Sequence, residues 1–397
     1  MRILQLHAGY RTPAGEDTVV AAEATALRSA GHDVVQFLEH NPPDTVDALR
    51  ALSKSRYNRD TARRVAVTCG TEQPDVAHVH NTWFALSASV IDAVADAGVP
   101  LVATVHTNRL GCLGVDLFRE GEVCTRCVGR SPLAGVIHAC YRDSRALSAI
   151  AAVEVMSTRR RGILERIDRF IVPASFMADR LVDIGLPSDR LVVKPHFTDD
   201  PGPRPSAPST SDDVLFIGRL ADAKGIATLL RAWERHADAH RRRTGRSPRL
   251  TVIGDGPMSA EARESAPRSV DFIGWRGRHE VTERMLSARA FVFPSQWYEP
   301  FGMVLIEAMA AGLPIVVTTA SDAPFITGAP PTLVAPAGDA HALAACLDDL
   351  TDDTFTDETG AASRQRFCDH YGVETGIDRL VQIYRVVVDP GDAGARP

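Results

Sequence analysis

The stretch FVFPSQWYEPFGMVLIEAMAAGLPIV, residues 291–316, decides how the rest of the chain is read. It opens with a short apolar run that stops at Pro294, crosses a polar and aromatic turn, and settles into a helical pattern carried by Val304, Leu305, Ala308 and Met309. Gly312 and Pro314 close that pattern and a second apolar run follows, so the spacing predicts strand, loop, helix and next strand. A helix opening near Pro300-Phe301-Gly302-Met303 offers unpaired backbone N–H groups and the positive end of its dipole, and Gly302 has no Cβ to keep a phosphate away. Glu299 stands just before this helix and Glu307 two turns inside it. Carboxylates repel a phosphate, so these two suit hydroxyls on either side of a docked anion. A sugar nucleotide presents that order: sugar, diphosphate, ribose.

The sequence on either side of this stretch repeats the strand-to-loop pattern. Val214-Leu215-Phe216-Ile217 runs into Gly218-Arg219-Leu220 and, after a short loop, Lys224-Gly225. Two cations in one strand-to-helix loop can neutralise a diphosphate, Arg219 by a bidentate contact and Lys224 as a point charge. Leu250–Ile253 ends at Gly254-Asp255-Gly256-Pro257, a tight turn where backbone can approach a ligand and where Asp255 reads as a turn residue. Val270–Ile273 ends at Gly274-Trp275, and Trp275 can stack on a base or pack. Pro331–Val334 suggests a last strand, Gly338-Asp339 opens a helix through Leu350, and Thr375–Val387 is amphipathic.

The N-terminal half has the same grammar. Ile3–Leu6 reads as a strand, a loop passes Gly9, Pro13 and Gly15, a helix runs to about Ala30, and His32–Phe37 is the second strand. Ligands of such doubly wound domains collect beyond the carboxyl ends of the strands. The first loop lacks the G-x-G-x-x-G pattern, which argues against a dinucleotide-dependent dehydrogenase. Val76–His80 and Leu101–Val105 place His80 and His106 at adjacent strand ends. Ala146–Arg166 is helical, Phe170–Val172 and Leu191–Val193 are further strands, and the Pro- and Ser-rich residues 200–213 read as an interdomain linker.

Four of the seven cysteines, Cys112, Cys124, Cys127 and Cys140, fall within one insertion. Its single C-x-x-C knuckle suits a tetrahedral thiolate zinc site in a reducing compartment. Buried unpaired thiols and an iron–sulfur cluster are the other readings of this spacing.

At 397 residues the chain is too long for one ordinary core, which predicts two domains. Although 45% of residues are hydrophobic, no apolar run approaches the roughly 20 needed to span a bilayer. The start MRILQLHAGY is too short in its apolar part for a secretory signal, and a cytoplasmic protein is expected. A net charge of −6 argues against nucleic acid as a partner despite Arg159-Arg160-Arg161 and Arg241-Arg242-Arg243, which read as solvated faces. The lysines are only Lys54, Lys194 and Lys224, so a lysine that persists in this arginine-rich chain points to a chemical requirement. Peripheral membrane contact and oligomeric state stay open. The missing span and the lack of a clear basic amphipathic helix favour a soluble small molecule or glycan over a membrane lipid as the second ligand.

The segment SQWYEPFGMVLIEAMAAGLPIV, G-R-L-x-x-x-K-G at 218–225, and the pairs His80-Asn81 and Thr104-Val105-His106 resemble the signatures of retaining glycosyltransferases of family 4. The resemblance covers nearly the whole chain. It implies α/β architecture with two facing Rossmann-like domains, the GT-B arrangement, and a C-terminal helix that crosses back to the N-terminal domain. The expected boundaries are an acceptor-side domain at 1–199 with the cysteine insertion at 108–144, the linker, a nucleotide-sugar domain at 214–374, and a crossover helix and tail at 375–397. It implies donor binding by Gly15, Glu16, Arg219, Lys224, Gly254, Gly274, Trp275, Glu299, Phe301, Gly302, Met303 and Glu307. The acceptor side falls to His80, Asn81 and Trp83, with part of the insertion, and His106 orients the reacting sugar. Relatives carry Pro-Asn-Gly-Val-Asp where this chain has Pro195-His196-Phe197-Thr198-Asp199, so that turn's inherited role does not transfer.

The expected reaction is hexosyl transfer, of a glucosyl, N-acetylglucosaminyl or mannosyl group, from a nucleoside-diphosphate sugar to a hydroxyl of a small molecule or glycan. No residue stands out as a covalent nucleophile, so departure and attack on one face of the sugar is the default. With two cations at the diphosphate, no divalent metal is required for catalysis. The alternatives are an epimerase or phosphorylase on the same architecture, or a noncatalytic sugar-nucleotide-binding subunit.

Overall fold

The computed structural model describes residues 1–10, 15–41, 57–83 and 85–389; Pro13 and Lys54 lie outside them. Two compact units emerge. One comprises Met1–Leu117, Thr125–His196 and Glu374–Pro397, and the other Phe118–Cys124 and Phe197–Val373.

The first unit is built on the strands β1 (Arg2–Gly9), β2 (Asp33–His40), β3 (Val76–Val79) and β4 (Leu101–Thr104). After the short hairpin of β5 (Phe118–Arg119) and β6 (Glu122–Val123), β7 (Arg169–Val172) and β8 (Leu191–Val193) complete the sheet. Its order is β2-β1-β3-β4-β7-β8, with every pair parallel. The second unit carries β9 (Asp213–Ile217), β10 (Arg249–Ile253), β11 (Val270–Gly274), β12 (Ala290–Phe293), β13 (Ile315–Thr318) and β14 (Val334–Ala335). These form a second parallel sheet, β11-β10-β9-β12-β13-β14.

Parallel sheets need crossover helices on both faces, and the central strands are therefore mostly apolar rather than alternating. β3, β4, β12 and β13 are buried at every residue. In each sheet the winding reverses beside the first strand, between β1 and β3 and again between β9 and β12. Chain leaving the carboxyl ends at such a reversal splays apart and leaves a crevice. Gly15, Glu16 and His80 follow β1 and β3, and Arg219, Lys224, Glu299 and Gly302 follow β9 and β12.

Three local expectations shift. The final strand begins at Val334 rather than Pro331, because Pro330 and Pro331 lack N–H donors and residues Pro331–Leu333 form a 3-10 turn. The helix expected over 146–166 runs Arg145–Arg160, capped by the Ser144 side chain, and Gly162 at φ 64° turns the chain into a 3-10 segment at Ile163–Arg166. The stretch 200–213 is tied to the second unit: Arg204 donates to the carbonyls of Ala288, Ala311 and Gly312, and Ser209 to Asp357.

The C-terminal helix Val373–Val388 returns to the first unit and buries Ile377, Leu380, Val381, Ile383, Tyr384 and Val387 along one side. Tyr384 is fully buried and its hydroxyl lies 2.7 Å from His78 Nδ1, so the last helix is pinned beneath β3. None of the helices among the described residues is long and apolar enough to cross a membrane.

Candidate functional site

In the second unit, glycines let loop backbones meet at the ends of the sheet. A Cβ on Gly225, at φ 74°, would come to 1.9 Å from the Pro294 carbonyl oxygen, so the loop after β9 can lie against the loop after β12 only with glycine there. Gln296 N donates to the Ala223 carbonyl at 2.8 Å and its side chain reaches Thr228 at 3.1 Å, tying the two loops together. A Cβ on Gly254 would meet the Gly218 carbonyl oxygen at 2.0 Å. Gly254 N donates to the Gly274 carbonyl at 2.9 Å, and Trp275 N to Asp255 Oδ2 at 3.0 Å. Gly218, Gly254 and Gly274 thus form a backbone floor at the carboxyl ends of β9, β10 and β11, and Asp255 is the turn residue its sequence suggested.

The charged residues stand on this floor. Arg219 is exposed. Lys224 forms an ion pair with Glu299, whose carboxylate also accepts from Trp297 Nε1 at 2.8 Å. The Lys224 ammonium lies 5.2 Å from the Trp297 ring centroid. Gly302, at φ 83° and with no side-chain cap, precedes the helix Met303–Ala310, leaving the first amides of that helix for another acceptor. Phe301 is buried with its ring edge toward Tyr371, so only its backbone faces outward chemistry. Glu307 is half-buried, and burial raises its carboxyl above the ordinary value while the charge of Arg278 partly offsets this. Trp275 is 74% exposed, a bare indole face at the end of β11.

In the first unit, Glu16, His80, Asn81, Trp83 and His106 line one cavity of about 130 Å³. Asn81 bridges the strand ends, donating to the Ala8 carbonyl and accepting from Trp83 N, each at 2.9 Å. Trp83 is buried, donates to Tyr141 at 3.2 Å, and is covered by the Arg109 guanidinium 3.9 Å above its ring. Gly15 is exposed with open space where its Cβ would be. Burial pushes the Glu16 carboxyl up to about 7, against the pull of its Tyr10 hydrogen bond and the Arg109 charge.

Arg109 and Glu154 line the same cavity and escaped the sequence reading. Glu154 sits mid-helix within the mostly apolar run Ala149–Met156; it is 6% exposed and burial pushes its carboxyl up to about 8. Glu154 Oε2 and Arg109 Nη1 are both buried without a hydrogen-bond partner, so this end of the cavity offers a carboxyl oxygen and a guanidinium donor to whatever enters.

Beneath the cavity lies a buried polar cluster that the sequence signalled only in part. Lys194 is 2% exposed and donates to Glu23 Oε1 at 3.0 Å. Burial pushes the Glu23 carboxyl up, but the charges of Lys194 and His78 and the Lys194 hydrogen bond overcome it and hold the group below its ordinary value. His78 Nε2 lies 2.7 Å from Thr104 Oγ1, and burial lowers this imidazole to about 4. His196 stacks on His106 with centroids 5.4 Å apart, and burial beside Lys194 lowers it to about 3. The Pro-His-Phe-Thr-Asp departure therefore places an imidazole against the residue expected to orient the sugar. Two of the three scarce lysines are ion-paired at the strand ends.

Among the described residues, the group whose ligand atoms lie within 4.8 Å of one another is Glu23, His78 and His80, with the Lys194 ammonium already beside its carboxylate. The cysteines form no such group. Cys112 lies near Cys127 and Cys140, and burial, augmented by those two thiols, pushes its own up to about 11. The four sulfurs are not converged as a zinc tetrahedron requires.

A family model described as Glycosyltransferase Family 4 matches residues 14–200, and one described as Glycosyl transferases group 1 matches residues 211–353. The glycogen synthase of Mycobacterium tuberculosis is 26% identical over 379 residues, covering 91% of this chain and 88% of its own. Sucrose-phosphate synthase of Thermosynechococcus elongatus superposes with a TM-score of 0.67 at 19% identity, over 98% of this chain and 100% of that one. HepE of Anabaena, solved in complex with UDP, gives a TM-score of 0.66 at 17% identity, over 96% and 99%.

Proposed function

Since this chain is a member of the family 4, group 1 glycosyltransferases, we propose that it transfers a hexosyl group from a nucleoside-diphosphate sugar to a hydroxyl acceptor, with retention at the anomeric carbon. The observation that carries this reading is the second unit's glycine floor, with Arg219 and the Lys224–Glu299 pair above it and the uncapped helix at Gly302 beside it. Arg219, Lys224 and the first amides of that helix stabilise the charge that grows on the departing diphosphate. Glu299 accepts from hydroxyls of the sugar, and Glu307 from the ribose. Gly254 and Gly274 admit the base close to backbone, with Trp275 free to stack on it, and Gly15 and Glu16 are assigned to the donor as well.

The cavity of the first unit takes the acceptor, with His80, Asn81 and Trp83 in its wall and His106 directed at the transferred sugar. The charge that the two cations supply at the diphosphate makes a divalent ion dispensable on this reading. The UDP in the HepE complex makes UDP-sugars the first donors to try.

Thermal-shift and hydrolysis screens against UDP-, GDP-, ADP- and dTDP-sugars, with Lys224→Ala and Glu299→Ala alongside, test this. Selective stabilisation by one donor, lost in Lys224→Ala and accompanied by slow hydrolysis, is the expected result. Turnover of donor to an isomeric sugar nucleotide, a strict need for inorganic phosphate, or no stabilisation by any nucleotide would each overturn it.

A further inference from the structure

The segment 125–161 carries seven arginines against two acidic residues, Asp143 and Glu154, in a chain of net charge −6. Glu154 is buried in the cavity, which leaves Asp143 as the acid exposed on this stretch. At its centre the short helix Leu133–Ile137 turns two large aliphatic side chains outward: Leu133 is 59% and Ile137 63% exposed. Its other side is packed. Gly135 is buried so tightly that a Cβ would come to 2.9 Å from Leu113, and Val136 packs against the cluster of Trp83, Leu113 and Tyr141. The helix is therefore held rigidly with its aliphatic pair facing away from the protein.

Arginines flank the helix in sequence, and two of them touch its C-terminal end. Arg145 donates to the Ile137 carbonyl at 3.3 Å, and Arg126 Nη1 lies 3.2 Å from His138 Nε2. Arg130 is tied in by its carbonyl, which accepts from Arg159 at 3.2 Å. Arg126, Arg130, Arg142 and Arg145 are all exposed. Several arginines elsewhere are paired with acids, Arg2 with Asp33, Arg166 with Asp92, Arg276 with Glu280 and Arg364 with Asp200. Among the described residues none of the four here has an ion pair. A surface that exposes two aliphatic side chains beside arginines that outnumber its one exposed acid matches the interface of an anionic bilayer, where aliphatic groups enter the acyl boundary and each arginine meets headgroup charge.

We propose that this face docks the protein on anionic lipid membranes, Leu133 and Ile137 inserting and the four arginines binding headgroups. The inference is independent of the donor and acceptor assignments. Trp83 belongs both to the packed cluster under the docking helix and to the wall of the cavity, so a membrane at this face lies one side-chain layer from the cavity.

Co-sedimentation with phosphatidylcholine vesicles, with and without phosphatidylglycerol, tests the proposal. Binding should require phosphatidylglycerol and weaken as salt is raised. Each Arg→Ser change at 126, 130, 142 or 145 should reduce binding about fivefold, from the roughly 1 kcal/mol that a cation near an anionic surface contributes. Leu133→Asp/Ile137→Asp should abolish sedimentation while leaving the melting temperature unchanged, since both side chains already face solvent. Failure to bind anionic vesicles, equal binding to neutral ones, or full binding by the double variant would overturn it. A second copy of the chain as the true occupant would appear in sedimentation velocity as a dimer that the double variant dissociates, and that result would overturn it too.

Discussion

His80 Nδ1 lies 3.0 Å from His106 Nε2, and the groups behind His80 determine which of the two donates. Gln36 donates to Gln5 Oε1 at 2.8 Å, which identifies the other end of Gln5 as its amide nitrogen. That nitrogen spends one proton on the Val20 carbonyl at 3.2 Å and directs the other at His80 Nε2, 3.3 Å away. Glu23 Oε2, at 3.6 Å from the same nitrogen, is beyond hydrogen-bonding distance. Burial, followed by the neighbouring imidazoles, holds both His80 and His106 well below their ordinary values, so both are neutral. His80 therefore carries its proton on Nδ1 and donates it to His106 Nε2, and neutral His106 carries its own on Nδ1. Side-chain ¹⁵N spectra should show His106 protonated at Nδ1 and bare at Nε2 throughout the neutral range. An Nε2-protonated His106 would refute the chain of donors. Gln5→Leu should make the His106 tautomer mixed without charging either ring.

Acid should loosen the first unit well before ordinary carboxylates titrate. His78 and His196 are lowered to about 4 and about 3, so below an unfolded value near 6.5 the unfolded chain takes up protons that the folded one refuses. Stability then falls with pH by about 1.4 kcal/mol per unit for each such group. Glu23 acts in the same direction at lower pH. Its depressed carboxyl contributes stability above the unfolded value, and this is lost as pH falls through the folded one. Glu16 and Glu154, raised to about 7 and about 8, act oppositely over this range, so the test is a difference. From pH 7 to pH 5 the urea midpoint of His78→Gln/His196→Gln should fall less than that of the parent, and an equal change would contradict the neutral histidine cluster.

Removing the cation of the buried pair should be costly in its own right. Lys194→Met leaves the Glu23 carboxylate dehydrated and uncompensated, at a cost of about 3–5 kcal/mol. Lys194→Met/Glu23→Leu should recover most of that loss, because it removes both charges together. Equal denaturant midpoints for the single and double variants would show that the pair matters only through its volume.

The sheets were legible because most strands are short apolar runs, many of them ended by Gly, Pro or His, a pattern that follows from burial on both faces. The donor-side loops were legible for a related reason: Gly225 and Gly254 are demanded by backbone approach and Gly274 and Gly302 by positive φ, and both demands are written as glycine. The cavity's Arg109 and Glu154 were hidden. Arg109 follows a histidine strand end in a loop, and Glu154 belongs to the helix Arg145–Arg160, whose pattern shows a buried side without revealing that a carboxylate occupies it. The cluster under the cavity joins Gln5, Glu23, His78, Lys194 and Tyr384 across nearly the whole chain, and periodicity is blind to such distances. Only the scarcity of lysine pointed at Lys194.

Glu154 should weaken the fold as pH rises. Its folded carboxyl, raised to about 8, keeps a proton that the unfolded chain releases near 4.5, so the folded state is progressively disfavoured between those values. Glu154→Gln removes the titration and keeps the shape. The variant should therefore gain melting temperature relative to the parent at pH 8 and gain less at pH 5. A pH-independent difference would mean that Glu154 is already charged in the folded protein.

The glycines of the second unit should rank by what a methyl group meets. At Gly254 and Gly225 the added Cβ would sit 2.0 Å and 1.9 Å from a backbone carbonyl oxygen, and both residues have positive φ. Backbone cannot swing aside as a side chain can, so Gly254→Ala and Gly225→Ala must part the loops that build the floor. At Gly302 the nearest atoms are side-chain carbons of Phe293 and Leu305 at 3.1 Å and 3.2 Å, and the main cost is the left-handed backbone itself, roughly 1–2 kcal/mol. Gly302→Ala should fold with a modestly lowered melting temperature. Gly225→Ala and Gly254→Ala should lose several times more stability, together with stabilisation by any sugar nucleotide. If all three lost equally, the close approach of these loops would not be what fixes the floor.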